Sequence, residues 1–268
     1  MKEDVKFYTA QNKEAWNEIV PRHQVASKEK LDLLFSEPGY IDIIDKAFLQ
    51  ALKDFDVTGK DIIHLCCNNG CELMSLKNMG AKRCVGIDIS DLAIIEAQER
   101  AGKNNIKCEF INSDVYEIPK TFNNSFDIVI LTAGCVGWIP DINEFFKIAF
   151  QLLRKNGIVF IHEIHPFSEM LPFDYSNVDN RLQIIEPYFR DEPIVESTGL
   201  DYLGGTNYTG KPQYWFVHTL SSLIMALIKN GFVIEHFSEN DNDISAVHKK
   251  QEKLNAKIPL SYILIARK

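Results

Sequence analysis

From Asp61 onward the chain alternates short, almost continuous apolar runs with segments of helical spacing. The runs are "DIIHLC" from Asp61, "RCVGID" (Arg83 to Asp88), "KCEFIN" (Lys107 to Asn112), "FDIVILT" (Phe126 to Thr132) and "GIVFIHEI" (Gly157 to Ile164). Strands buried on both faces read this way, and their alternation with helices predicts a parallel sheet wrapped on two sides, the doubly wound α/β class. Helices are expected near 71–79, 91–101 and 142–153; in the last, Ile142, Phe145, Phe146, Ala149, Phe150 and Leu153 make one apolar face. After residue 165 the rhythm gives way to Pro, Gly and aromatic residues, then resumes at "HTLSSLIMALIKNG", which starts at a hydroxyl cap and stops at Gly231. "FVIEHFSE" and "IPLSYILIARK" supply two more strands, seven in all. Ahead of the sheet, "QNKEAWNEIV", "SKEKLDLLF" and "YIDIIDKAFLQAL" predict three helices divided by Pro21 and by Pro38-Gly39. The expected organisation is one domain: a helical cap over 1–55, a core over 56–165 and 218–268, and an insertion over 166–217.

Composition narrows the class. With 268 residues and 46% hydrophobic content the chain can bury one large core. A net charge of −8 argues against a nucleic acid partner, because neutralising phosphates takes clustered Lys and Arg, and the densest basic stretch, "VHKKQEKLNAK", reads as a solvated surface. The apolar runs fall short of the roughly 20 residues that cross a bilayer, and "MKEDVKFY" has no signal-peptide core. A cytoplasmic protein without membrane contact is expected. Cys66, Cys67, Cys71, Cys84, Cys108 and Cys135 read as reduced core thiols, and no metal is expected: the C-C-x3-C spacing lacks a second pair, and "HEIH" has its histidines three apart.

The candidate chemistry lies at the strand ends. An open α/β sheet binds ligands beyond the carboxyl ends of its strands, where the first strand turns into its helix, and that turn here is "HLCCNNGCEL" (His64 to Leu73). A pyrophosphate needs bare backbone there, usually three glycines, whereas this turn keeps only Gly70. Asparagine tolerates left-handed angles and adds an amide, which suits a nucleoside without phosphates. Asp88, with Ile89 after it, ends the second strand where a carboxylate accepts from ribose hydroxyls. Asp114 follows the third, where it can accept from an adenine amine while Val115 offers a backbone donor. Each acid also has an ordinary reading as a surface or capping residue.

These motifs resemble the class I S-adenosylmethionine-dependent methyltransferases, especially the small-molecule "methyltransferase domain" group. The resemblance runs over about residues 40 to 165, and more loosely over 218 to 268. The family turn reads D-L-G-C-G-x-G; here Leu65, Cys67 and Gly70 remain, while His64, Cys66 and Asn68 stand for the aspartate and two glycines. "GIDIS", "NSDVYEIP", "FDIVILTAG" and "LLRKNGIVFIHE" follow in the family's order. The resemblance implies a Rossmann-like sheet ordered 3-2-1-4-5-7-6 with the last strand antiparallel. It implies S-adenosyl-L-methionine as cofactor, held by Cys66, Asn68, Asn69, Gly70, Asp88, Ile89, Asp114, Val115, Thr132 and Ala133. Glu72 reads either as a surface acid complementing the helix dipole or as a partner for the cofactor's amine.

Methyl transfer from a sulfonium requires alignment, and a base only where the acceptor is protonated. His165 is the first candidate base and Glu163 the second. Acceptor contacts are expected from Trp138, which follows the fourth strand, and from the cap and the insertion, with Trp16, Tyr208 and Trp215 foremost and Tyr175 and Tyr202 among the further lid aromatics. The expected partner is a small-molecule methyl acceptor, and the expected state a monomer or homodimer. A catalytically idle binder of the same cofactor and an NAD-dependent oxidoreductase are the alternatives; against the latter stands the missing G-x-G-x-x-G.

Overall fold

The computed structural model describes residues 2–268 apart from 44, 174–181, 199, 202 and 204–207. Among the described residues nine strands form, β1 (Asp61–Leu65), β2 (Arg83–Asp88), β3 (Glu109–Asn112), β4 (Phe126–Leu131), β5 (Leu153–Ile164), β6 (Ile194–Glu196), β7 (Gln213–Trp215), β8 (Val233–Asn240) and β9 (Ser261–Arg267). Seven make one sheet in the order β3-β2-β1-β4-β5-β9-β8. β1 to β5 pair in parallel, while β9 runs antiparallel to both β5 and β8. This is the 3-2-1-4-5-7-6 order once the small strands β6 and β7 are set aside.

The strands read as unbroken apolar runs because each serves two cores. In β1, Ile63 and Leu65 join one cluster with Phe145, Phe146 and Leu227, while Ile62 joins another with Leu73, Leu76 and Ile94. The helices carrying these residues are α3 (Cys71–Asn78), α4 (Asp91–Lys103), α5 (Ile142–Leu152) and α6 (Leu220–Lys229). Side-chain caps fix the starts of α4, α5 and α6: Ser90 accepts from Ala93 N–H, Asp141 from Glu144 N–H and Thr219 from Ser222 N–H. Such caps contribute about 1 kcal/mol each. Gly231, at φ 93°, follows the last of them and turns the chain into β8.

The amino-terminal region differs from the sequence expectation. One helix, α1, runs from Glu3 to Phe35 with Pro21 inside it, and α2 (Lys46–Asp54) begins only where Asp45 caps Phe48 N–H. Contacts on both sides of Pro21 override the break: Asn17 bonds Asp91 and Ser90 before it, and Lys28–Glu99 and Asp32–Arg100 ion pairs follow it. Pro38-Gly39 does end the helical run, with Gly39 at φ 76°.

The 166–217 insertion holds the antiparallel pair β6 and β7, and β7 docks on α1. Asn12 imitates a neighbouring strand there, its Nδ2 donating to Tyr214 O at 2.9 Å and its Oδ1 accepting from Tyr214 N–H at 2.8 Å. Tyr175 and Tyr202 lie outside the described residues. The basic stretch after Val247 forms a short helix, α7 (Lys249–Glu252), and is not wholly solvated: His248 and Gln251 are buried, Gln251 donating to Pro172 O. Among the described residues no helix is long and apolar enough to cross a membrane.

Candidate functional site

The turn after β1 alternates left-handed residues, with Cys66 at φ 58°, Asn68 at 48° and Gly70 at 75°. Cys67, between them, donates its N–H to Ile87 O at 2.9 Å and buries its thiol in the core. That thiol fits because β2 has Gly86 opposite, where a Cβ would come within 2.7 Å of the sulfur. Gly70 lies against the Phe110 ring, which a Cβ would meet at 2.5 Å, so it turns the chain and, unlike its neighbours Asn68 and Asn69, does not line the cavity.

Asp88 holds the turn from β2, one carboxylate oxygen accepting from Asn68 N–H at 2.8 Å and the other from Ser90 N–H at 2.9 Å. Burial raises its pKa, and these backbone donors oppose the rise. Asn112, paired with Asp88 across β3, donates its amide to Asp88 O and Ile89 O and fixes the strand end. Behind the turn, fully buried Arg100 donates to Asn69 O at 3.3 Å and pairs with Glu96 and Asp32. Asp114 accepts from Tyr116 N–H at 3.0 Å, and Thr9 of α1 reaches the same carboxylate. His64, below the turn, shares a 3.0 Å hydrogen bond with Thr132 Oγ1; burial pushes its pKa down to about 3, leaving it neutral.

A cavity of about 1180 Å³ opens over these strand ends. Cys66, Asn68, Asn69, Asp88 and Ile89 line it, and so do Asp114, Val115, Thr132 and Ala133. Glu72 belongs to its wall as well, with a carboxyl that burial raises to about 7, so the surface-acid reading gives way. Trp16, Trp138 and Trp215 line the far part, Trp138 meeting Trp16 at 5.5 Å and Trp215 at 4.8 Å between ring centroids, both edge to face. Tyr208 does not line it and instead lies under the Arg22 guanidinium at 4.1 Å. Residues 244–248 close the cavity from the carboxyl-terminal side, a wall that neither cap nor insertion anticipates.

His165 also lies outside the cavity wall. Its Nδ1 accepts from Phe167 N–H at 3.0 Å, so the proton sits on Nε2, which donates to Glu239 at 3.0 Å. Nδ1 is thus taken up by the turn and Nε2 by Glu239 of β8, so the ring expected as the first candidate base is held away from the cavity. Glu163 lies beneath the cavity floor: one oxygen accepts from Gly134 N–H at 3.0 Å, the other has no partner, and burial raises the carboxyl to about 8. Glu169, Glu196 and Gln213 of the insertion line the cavity and are absent from the sequence-based set. Their one signal in the sequence is polarity amid aromatic and apolar neighbours. The six cysteines are free thiols, and no cluster of His, Cys, Asp and Glu suits a metal among the described residues.

The family model for the methyltransferase domain matches residues 62–157. A ribosomal protein L11 methyltransferase of Thermosipho melanesiensis is 25% identical over 173 residues, 56% of this chain and 63% of its own length. The chain spans between 46% and 63% of the first curated relatives it matches. A crystal structure of an S-adenosylmethionine-dependent methyltransferase from Mesorhizobium loti superposes with a TM-score of 0.61 at 22% identity, covering 83% of this chain and 98% of that one. A second, from Listeria monocytogenes, gives 0.63 at 18% identity over 82% and 97% of the two chains. The segment 62–157 thus matches the methyltransferase-domain model, and the chain that carries it has the class I S-adenosylmethionine-dependent methyltransferase fold.

Proposed function

We propose that this protein is an S-adenosylmethionine-dependent methyltransferase acting on a small-molecule acceptor. The observation that carries the reading is one continuous cavity shared by residues 66–69 of the turn, Asp88, Asp114 and the three tryptophans. The donor set suits the cofactor. Asp88 and Asp114 offer acceptor oxygens for ribose hydroxyls and an adenine amine, the turn offers no phosphate cradle, and Glu72 can pair with an amine. No Lys or Arg lines the cavity among the described residues, which favours a cationic ligand over an anionic dinucleotide.

When bound, S-adenosylmethionine supplies a methyl group already activated on its sulfonium. The chain's own part is alignment and exclusion of water. Asp88 and Asp114 would fix the nucleoside, Thr132 and Ala133 at the end of β4 would border the reacting centre, and Trp16, Trp138 and Trp215 would shape the space for the acceptor. Support for a small acceptor comes from the cover that α1, β7 and residues 244–248 lay over the strand ends. The L11 methyltransferase relative makes a protein acceptor the outcome to test against.

Calorimetric titration with S-adenosylhomocysteine tests the cofactor, and saturable binding with one site per chain is expected. Incubation with radiolabelled S-adenosylmethionine and a cell extract split into small-molecule and protein fractions tests the acceptor. Label confined to the protein fraction would overturn the small-molecule reading. Cofactor binding without any transfer would favour the idle binder.

A further inference from the structure

The part of the cavity away from the turn is built for a ligand head group. Trp215 lies over Gly137, where any Cβ would come within 2.2 Å of the indole, so its position depends on that glycine. The Trp215 side chain hydrogen-bonds Glu169, and Glu196 stands near enough to Glu169 to act on its charge. Gln213 Nε2 donates to Glu196 Oε2 at 3.4 Å, while Gln213 Oε1 has no hydrogen-bond partner although the residue is only 5% exposed. An orphaned amide oxygen in a cavity wall asks for a donor from the ligand.

Charge decides which donor. Eight carboxylate residues line the cavity and no Lys or Arg does, among the described residues. Glu96 is neutralised from behind by Arg100, and Arg190, whose charge acts on Glu169, is itself paired with Glu186 at 2.5 Å. A phosphate or carboxylate head would meet like charge. A hydroxyl could satisfy Gln213 but would leave two half-buried carboxylates without a counter-charge. An ammonium group brings three donors and the missing charge, and indole rings stabilise a nearby cation.

We propose that the methyl acceptor is an amine-bearing small molecule whose ammonium group is received by Glu169, Glu196 and Gln213 Oε1, with its apolar body against Trp16, Trp138 and Trp215. The proposal rests on the methyltransferase reading only in naming the ligand an acceptor.

Matched ligands test it: tryptamine, tryptophol and indole-3-acetate, and the same three head groups on a phenylethyl body, each titrated into protein saturated with S-adenosylhomocysteine and into protein without it. The amines are expected to bind at least tenfold more tightly than the alcohols, and the carboxylates not at all. Glu169→Gln and Gln213→Leu should each weaken amine binding about tenfold while S-adenosylhomocysteine affinity stays within twofold. Amines that bind no better than the alcohols on both bodies would overturn the proposal, whether or not the variants fold. Unchanged amine affinity in both folded variants would also overturn it. An intact amine preference in a wild-type protein that fails to bind S-adenosylhomocysteine would overturn the cofactor reading and uphold the ammonium site, without the name acceptor.

Discussion

Asp88 Oδ2 accepts the backbone N–H of Asn68 at 2.8 Å, so the acid that ends β2 also fastens the turn it faces. Ligand binding and turn geometry therefore depend on one side chain. Asp88→Ala should weaken S-adenosylhomocysteine binding by about 1.5–3 kcal/mol, the cost of losing a charged hydrogen bond and leaving a donor unpaired. Asp88→Asn should fall between the two, and calorimetry at pH 7.5 would rank the three.

Cys66 adopts φ 58° without being glycine, a conformation costing about 1–2 kcal/mol for a residue with a Cβ. Cys66→Gly removes that cost and restores freedom to the unfolded chain, so the net change in stability should stay within about 1 kcal/mol. Cys66→Val and Gly70→Ala should each lose more than about 2 kcal/mol, the first through a β-branched residue forced left-handed, the second through added contact with Phe110. Denaturant unfolding would separate them.

Glu163 titrates at about 8 in the fold because burial disfavours its charge, against an ordinary value of 4.5. The folded state therefore binds the proton more tightly. Its favourable contribution is complete below pH 4.5 and is lost as pH rises from there through about 8. Glu163→Gln, neutral throughout, should flatten this decline and raise Tm at pH 8.5 by several degrees, with little change at pH 4.5. Parallel melts of both proteins across that range provide the check.

Pro21 sits at an exposed position inside α1 and removes the bond that the carbonyl of Asn17 would accept. Pro21→Ala should therefore stabilise the protein by about 1–3 kcal/mol. An unchanged Tm would mean that the contacts of Asn17, Lys28 and Asp32 already hold the helix as firmly as the missing bond would.

The sheet was legible because parallel strands buried on both faces leave continuous apolar runs, and because Asp88 and Asp114 fall just where those runs stop. The far wall of the cavity was not. Glu169, Glu196 and Gln213 belong to a segment without periodicity, and their meeting depends on β6 pairing with β7 and β7 docking on α1, neither of which leaves a local pattern. His165 misled for a related reason: a histidine before proline reads as an open loop, but the turn folds back so that Phe167 N–H caps the ring. At Pro21 a local preference of about 3 kcal/mol yields to tertiary contacts on both sides.

The unbroken α1 touches the turn-side helix α4 through Asn17 and Asp32 and the strand β7 of the insertion through Asn12. A single rod is thus a common wall for both parts of the cavity. Any displacement of α1 would therefore open the turn side and the tryptophan side of the cavity together.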